Sequence, residues 1–193
     1  MRDDVDVDTP RAVLLTGPYG VGKSSVAEEI ADVLEGQVPF AAIDLDWLAW
    51  YDDGASEGHG PAASAMRARN LAAVVGNYRE AGVQYFVLAG TVGTEPELQA
   101  IRDALRMPLT VVRLDAPLAD IEARLATAQT TGRQDDLRRA GEQVAAGEGR
   151  GLEDLVIENR GPLPDVARAV LEALRWPISR PDEFRPLHRS IGT

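Results

Sequence analysis

"TGPYGVGKSS", Thr16–Ser25, follows directly on the apolar run "AVLL". In register, Gly17, four residues, Gly22, Lys23 and Ser24 spell G-x-x-x-x-G-K-S. The motif takes its meaning from its flanks: "RAVLLTG" before it reads as a short buried strand and "SSVAEEIADVLEG" after it as an amphipathic helix. Gly17, Gly20 and Gly22 permit positive φ and bring backbone N–H groups close to phosphate oxygens. The helix starting near Lys23 points its partial positive end at the same anion. Lys23 can reach terminal phosphates, and the Ser24 hydroxyl can ligate Mg²⁺. Among the 20 Lys and Arg residues Lys23 is the only Lys, a compact ammonium kept where a phosphate would sit. A ligand-free glycine turn is the competing reading, disfavoured by the complete motif between strand and helix.

At 193 residues and 20.8 kDa the chain has room for one α/β domain with a full core, so 1–193 is expected as a single unit. No apolar run approaches the ~18 residues of a membrane span. The start, "MRDDVDVDTP", is acidic where a secretory signal would be basic, and a cytoplasmic protein is expected. The absence of Cys excludes disulfides, thiolate metal sites and a cysteine nucleophile. His59 and His188 lie far apart in Gly- or Pro-rich segments and are expected to be solvated rather than to bind metal. A net charge of −11 argues against nucleic acid and anionic membrane as partners. An anionic substrate would then need a local basic cluster.

Strand-like runs at 11–17, 38–46, 83–90, 108–116 and 154–159 alternate with helical ones, the pattern of a parallel sheet with helices on both faces. Helices are expected over 23–35, over 62–81 ending at Gly82, from Thr94 to before Pro108, from Pro117, and over 163–176. Thr94 and Glu97 are spaced as a capping box. Residues 50–64 and 128–151 fit no sheet and read as lid or binding loops, or as passive ones. The tail after Trp176, rich in proline, reads as irregular.

Fold alone does not give function. A sole lysine rules out the Asn-Lys-x-Asp base motif of a GTPase. "FVLAG" lacks the Asp-Glu pair of mechanical ATPases, and no Leu-Ser-Gly-Gly is present. "IDLDW" instead places Asp44 and Asp46 two apart at a strand end, where carboxylates share a face beside the phosphate loop. One could hold Mg²⁺ while the other takes a proton from an attacking hydroxyl; the alternative is a solvated acidic strand end.

"GPYGVGKSS", then "IDLD", then a segment with arginines resembles the small P-loop kinases that include shikimate, gluconate and adenylylsulfate kinases and chloramphenicol phosphotransferase. The resemblance implies a three-layer α/β/α fold with sheet order 2-3-1-4-5, an acceptor region at 47–82 and a lid at 126–152. Lys23, Asp44, Asp46 and a lid arginine would be catalytic, with ATP on Gly17, Tyr19, Gly20, Val21, Gly22, Lys23, Ser24 and Ser25 and Mg²⁺ on Ser24 and Asp44. "MRARNLAAVVGNYREAG" is similar to adenylylsulfate kinases in its Arg67, Asn70 and Leu71 spacing. It departs from them at Ala72 and Ala73 and in lacking the Asp-Gly-Asp-Asn run, so the reaction class carries over and the sulfonucleotide does not. Uncharacterised actinobacterial P-loop ATPases and kinases look closer still.

By the same resemblance Arg124 lies over the adenine, and Asn159 and Arg160 flank the base. Arg133, Arg138 and Arg139 are the lid candidates, with Arg133 preferred; the alternative is a solvated helix with internal ion pairs. Asp46, Trp47, Arg67, Asn70 and Gly90 are the expected acceptor contacts, and Trp50 and Tyr51 either wall that pocket or belong to the core. The resulting expectation is an ATP- and Mg²⁺-dependent kinase of a small-molecule hydroxyl, with self-association into a homodimer as a further expectation. The rival is a nucleotide-binding regulatory ATPase that reports its state to a partner.

Overall fold

The computed structural model describes residues 9–50, 61–127 and 133–176. Its strands are β1 (Arg11–Thr16), β2 (Phe40–Asp44), β3 (Tyr85–Ala89), β4 (Leu109–Asp115) and β5 (Leu155–Glu158). Its helices are α1 (Lys23–Leu34), α2 (Pro61–Glu80), α3 (Glu95–Leu105), α4 (Leu118–Thr127), α5 (Arg133–Ala146) and α6 (Leu163–Leu174). The strands form one parallel sheet in the order β2-β3-β1-β4-β5, the order that the resemblance implies.

The period of two along the apolar strands divides the core in two. Val13, Leu15, Val87, Val112 and Leu114 meet Val26, Ile30 and Leu34 of α1 and Val166 and Val170 of α6 on one face. Ala12, Leu14, Phe86, Leu88 and Val111 meet Leu71 and Val75 of α2 and Leu98, Ile101 and Leu105 of α3 on the other. Each fully buried Leu or Ile in these layers contributes about 1.5–3 kcal/mol by leaving water. Trp176 closes the first layer, its ring 5.0 Å from that of Tyr85.

Two local expectations change. β2 stops at Asp44, two residues earlier than expected: Asp46 has helical backbone, φ −68° and ψ −33°, and opens a 3₁₀ turn over Trp47–Ala49. Strand alternation therefore does not govern Asp46. Thr94 stands at the start of α3 without a side-chain cap bond, and Glu97 Oε2 accepts instead from the Gly93 N–H at 2.9 Å. Glu97 is also held by Ser64 Oγ at 3.0 Å, which ties it to α2. The stretch read as a lid, 128–151, contains the helix α5, Arg133–Ala146. Tyr51, His59, the 177–193 tail and His188 lie outside the described residues.

Candidate nucleotide and acceptor site

The phosphate loop joins β1 to α1 with its glycines in left-handed conformations: φ is 134° at Gly17, 75° at Gly20 and 99° at Gly22. At Gly22 a side chain has no room, since a Cβ there would stand 2.7 Å from Asn159 Nδ2. Lys23, the first residue of α1, is buried and donates to the carbonyls of Gly17 and Pro18 at 3.1 Å each. Burial lowers its pKa to about 8; Arg139 and Arg113 add to the fall, and Asp46 and, more weakly, Asp44 oppose it. An ammonium that is buried and, among the described residues, hydrogen-bonded only to loop carbonyls, inside a glycine-rich turn, is the environment a polyphosphate fits.

Ser24 Oγ donates to Asp44 Oδ2 at 2.9 Å, and Asp44 Oδ1 accepts from the Asp46 N–H at 2.9 Å. The hydroxyl and carboxylate are hard oxygen donors of the kind Mg²⁺ takes. Among the described residues no group of three or more His, Asp or Glu could hold a metal. A cation at Ser24 and Asp44 would therefore arrive with phosphate oxygens completing its shell, as Mg²⁺ does with nucleotides.

On the far side of the loop, Asn159 is buried at the end of β5. Its Nδ2 donates to Val21 O at 2.7 Å, while its Oδ1 is buried with no partner among the described residues. Arg124 on α4 donates through Nη1 to the same Val21 carbonyl at 3.0 Å and through Nη2 to Asn159 O. Arg124 and Asn159 thus brace the phosphate loop against the turn after β5. Arg160 is exposed, 3.7 Å from Glu158.

α5 lies over Tyr19. Gln143 Oε1 accepts from the Tyr19 N–H at 2.7 Å, and the Arg139 guanidinium lies 5.3 Å from the centroid of the Tyr19 ring. Burial raises the Tyr19 pKa, and the Asp136 carboxylate raises it further. Arg138 points elsewhere, pairing with Asp135 and Glu142 along its own helix. Arg133 begins α5, and its side chain lies outside the description.

The acceptor candidates are spread along α2 and its surroundings. Arg67 donates to Thr91 O at 3.3 Å and stands 4.0 Å from Glu97, largely buried. Asn70 Nδ2 donates to Leu48 O at 2.6 Å, so it holds the 3₁₀ turn, and Leu71 is core. Gly90 is packed under Leu45, to which a Cβ would come within 2.8 Å. Trp47 and Trp50 are exposed and stack on each other at 4.7 Å; they are not core residues. Sequence reasoning passed over Gln143, Asp136 and Arg113. The first two share a helix face with Arg139 at spacings of three and four, a signal visible only once that segment is taken as helix.

No family model matches the chain, and no curated protein does. Solved structures do. A sugar kinase from Janibacter sp. HTCC2649 is 20% identical with a TM-score of 0.64, over 88% of this chain and 96% of that one. A gluconokinase from Sinorhizobium meliloti 1021 is 23% identical with a TM-score of 0.59, over 86% and 92%. The Mycobacterium tuberculosis APS kinase, solved with AMPPNP and APS, is 22% identical with a TM-score of 0.56, over 86% and 98%. The chain has the fold of the small P-loop kinases, and these neighbours are small-molecule kinases. No helix among the described residues is long and apolar enough to cross a membrane.

Proposed function

We propose that the protein is an ATP-dependent kinase that phosphorylates a hydroxyl of a small molecule. The observation that carries this reading is the buried Lys23 ammonium at the head of α1, beside the Ser24–Asp44 pair and within the field of Asp46. Loop amides and Lys23 would hold the β- and γ-phosphates. Ser24 and Asp44 would hold Mg²⁺, which supplies charge neutralisation across the terminal phosphates when bound.

Asp46, exposed at the mouth of the loop, would accept the acceptor's hydroxyl proton. The acceptor oxygen forms its bond to the γ-phosphorus as the bond to the β-bridging oxygen breaks, and ADP leaves. Residues 47–82 would present the acceptor, and the α5 region would close over the phosphates with Arg139 already beside Tyr19.

A second reading, a nucleotide-dependent switch, draws on the contact of Gln143 with the phosphate loop, since α5 could report occupancy to a partner. Purified protein with Mg·ATP and a panel of hydroxylated acceptors, scored for ADP above background hydrolysis, separates the two. Stimulation by small molecules supports the kinase; stimulation by a protein partner alone supports the switch.

A further inference from the structure

Arg113 lies on β4 opposite Thr16, the residue that leads into the phosphate loop. It is 2% exposed. Its one hydrogen bond among the described residues runs from Nη1 to the carbonyl of Glu148 at 2.8 Å, and its Nε is buried without a partner. Among the described residues no carboxylate forms an ion pair with it, although Arg67, Arg138, Arg150, Arg160 and Arg168 are all paired. Glu148 turns its own carboxylate toward Gly93, where Oε1 stands 2.7 Å from the place of a Cβ.

A guanidinium cannot escape burial by losing its proton. Taking it out of water costs several kcal/mol unless an anion and further hydrogen bonds compensate, and one neutral carbonyl does not. The group is therefore incomplete as it stands.

Its surroundings say where the missing partner would come from. Gly149, at φ 70°, folds against Val92 so closely that a Cβ would be 2.3 Å from Val92 O, and Arg113 Nη1 lies 3.6 Å from the same point. The tip of Arg113 thus sits between the turn after α5 and the Thr91–Gly93 segment after β3. Arg67 reaches that segment from α2, through Thr91 O. Two arginines from separate elements converge on one segment at the carboxyl end of the sheet, the side where ligands of such sheets bind.

We propose that Arg113 binds an anionic oxygen group, carboxylate or phosphate, on the molecule whose hydroxyl is phosphorylated, so that the acceptor is a hydroxylated acid and not a neutral polyol. This rests on the kinase reading and narrows it to a substrate class. It also accounts for anion capture by a chain of net charge −11. The planar fork of Arg113 would take two oxygens of the group.

The test uses the full chain saturated with Mg·ADP, so that the phosphate loop is filled, and titrates gluconate, glucose 6-phosphate and sorbitol by calorimetry. At least one of the two anions should bind and sorbitol should not. Arg113→Met should weaken the anion about ten- to a hundredfold, the loss expected for a charged hydrogen-bond partner, with ADP affinity unchanged. Arg113→Lys, which keeps the charge without the fork, should fall between and guards against misfolding of the Met variant. Binding of neither anion, or equal binding to wild type and both variants, overturns the proposal. ADP release measured with the same three probes separates the two ideas. Turnover on sorbitol that is indifferent to Arg113→Met leaves the kinase and removes this site; Arg113-dependent anion binding with no phosphotransfer to any acceptor removes the kinase and leaves the site.

Discussion

Gln143 Oε1 accepts the Tyr19 N–H at 2.7 Å across 124 residues of sequence, and so joins α5 to the phosphate loop. Gln143 is buried, with Ala140 packed in the core on the same side of the helix. Gln143→Ala strips the part-buried Tyr19 N–H of its acceptor, a loss of about 0.5–1.5 kcal/mol. For a chain of this length that lowers Tm by a few degrees, at about 2–4 °C per kcal/mol. Scanning calorimetry checks it. An unchanged Tm would mean that water replaces the carboxamide freely and that α5 is not anchored there.

Lys23→Met should separate binding from folding. The wild-type ammonium is buried at a cost, which its lowered pKa records, and a methionine of similar length removes the charge without opening a large cavity. Thermal stability without nucleotide should therefore stay level or rise. Mg·ATP affinity should collapse, since no other lysine exists to substitute. Calorimetric titration of the folded variant that found wild-type affinity would remove the phosphate-loop assignment.

The division between what was legible in the sequence and what was not follows the reach of the interactions. Sheet order came through the family resemblance, and strand positions came from apolar runs such as "VQYFVLAG", whose burial on both faces leaves no polar alternation to misread. The surroundings of Lys23 are local, since its Nζ donates to Gly17 O and Pro18 O within the same loop, whereas Ser24 Oγ finds Asp44 across 20 residues at the end of the next strand. Asp46 was named from a strand periodicity that ends at Asp44, because the chain turns helical there under Leu45, which is buried against Gly90. Arg67 carries no mark in sequence that distinguishes a cleft-facing arginine from one tied to Thr91 and Glu97. Arg113 sits within "TVVRL", where a single charge in an apolar run reads as an interruption until the turn after α5 folds over it.

The lowered pKa of Lys23 fixes the sign of two pH effects. An unfolded lysine titrates near 10.5 and the native one near 8, so between these values the unfolded chain holds a proton that the native protein has shed. Stability contributed by this group therefore rises with pH from about 8 to 10.5 and is flat below 8. Nucleotide binding runs the other way, because phosphate oxygens favour the ammonium. Mg·ATP affinity should fall as pH rises through about 8, with proton uptake on binding that is absent near neutrality. Titrations in two buffers of different ionisation enthalpy measure that uptake directly.

The two aspartates should fail in different ways. Asp44 takes hydrogen bonds on both oxygens, from Ser24 Oγ and from the Asp46 N–H, so Asp44→Asn loses a negative charge at the expected cation position. Its half-maximal Mg²⁺ concentration should rise while turnover at saturating Mg²⁺ recovers in part. Asp46 is exposed at the turn, and no side-chain hydrogen bond occupies the carboxylate among the described contacts. Asp46→Asn should lower kcat about 10²–10⁴-fold, the range for loss of a general base, with little change in Mg·ATP affinity near neutral pH. Because the Asp46 charge also supports the Lys23 ammonium, its removal should move the alkaline loss of nucleotide affinity to lower pH. Steady-state kinetics over a Mg²⁺ series and a pH series read both effects. Equal and small losses from the two variants would reduce the pair to a solvated strand end, whereas a Mg²⁺ shift confined to Asp44 and a pH shift stronger at Asp46 would assign each carboxylate its own task.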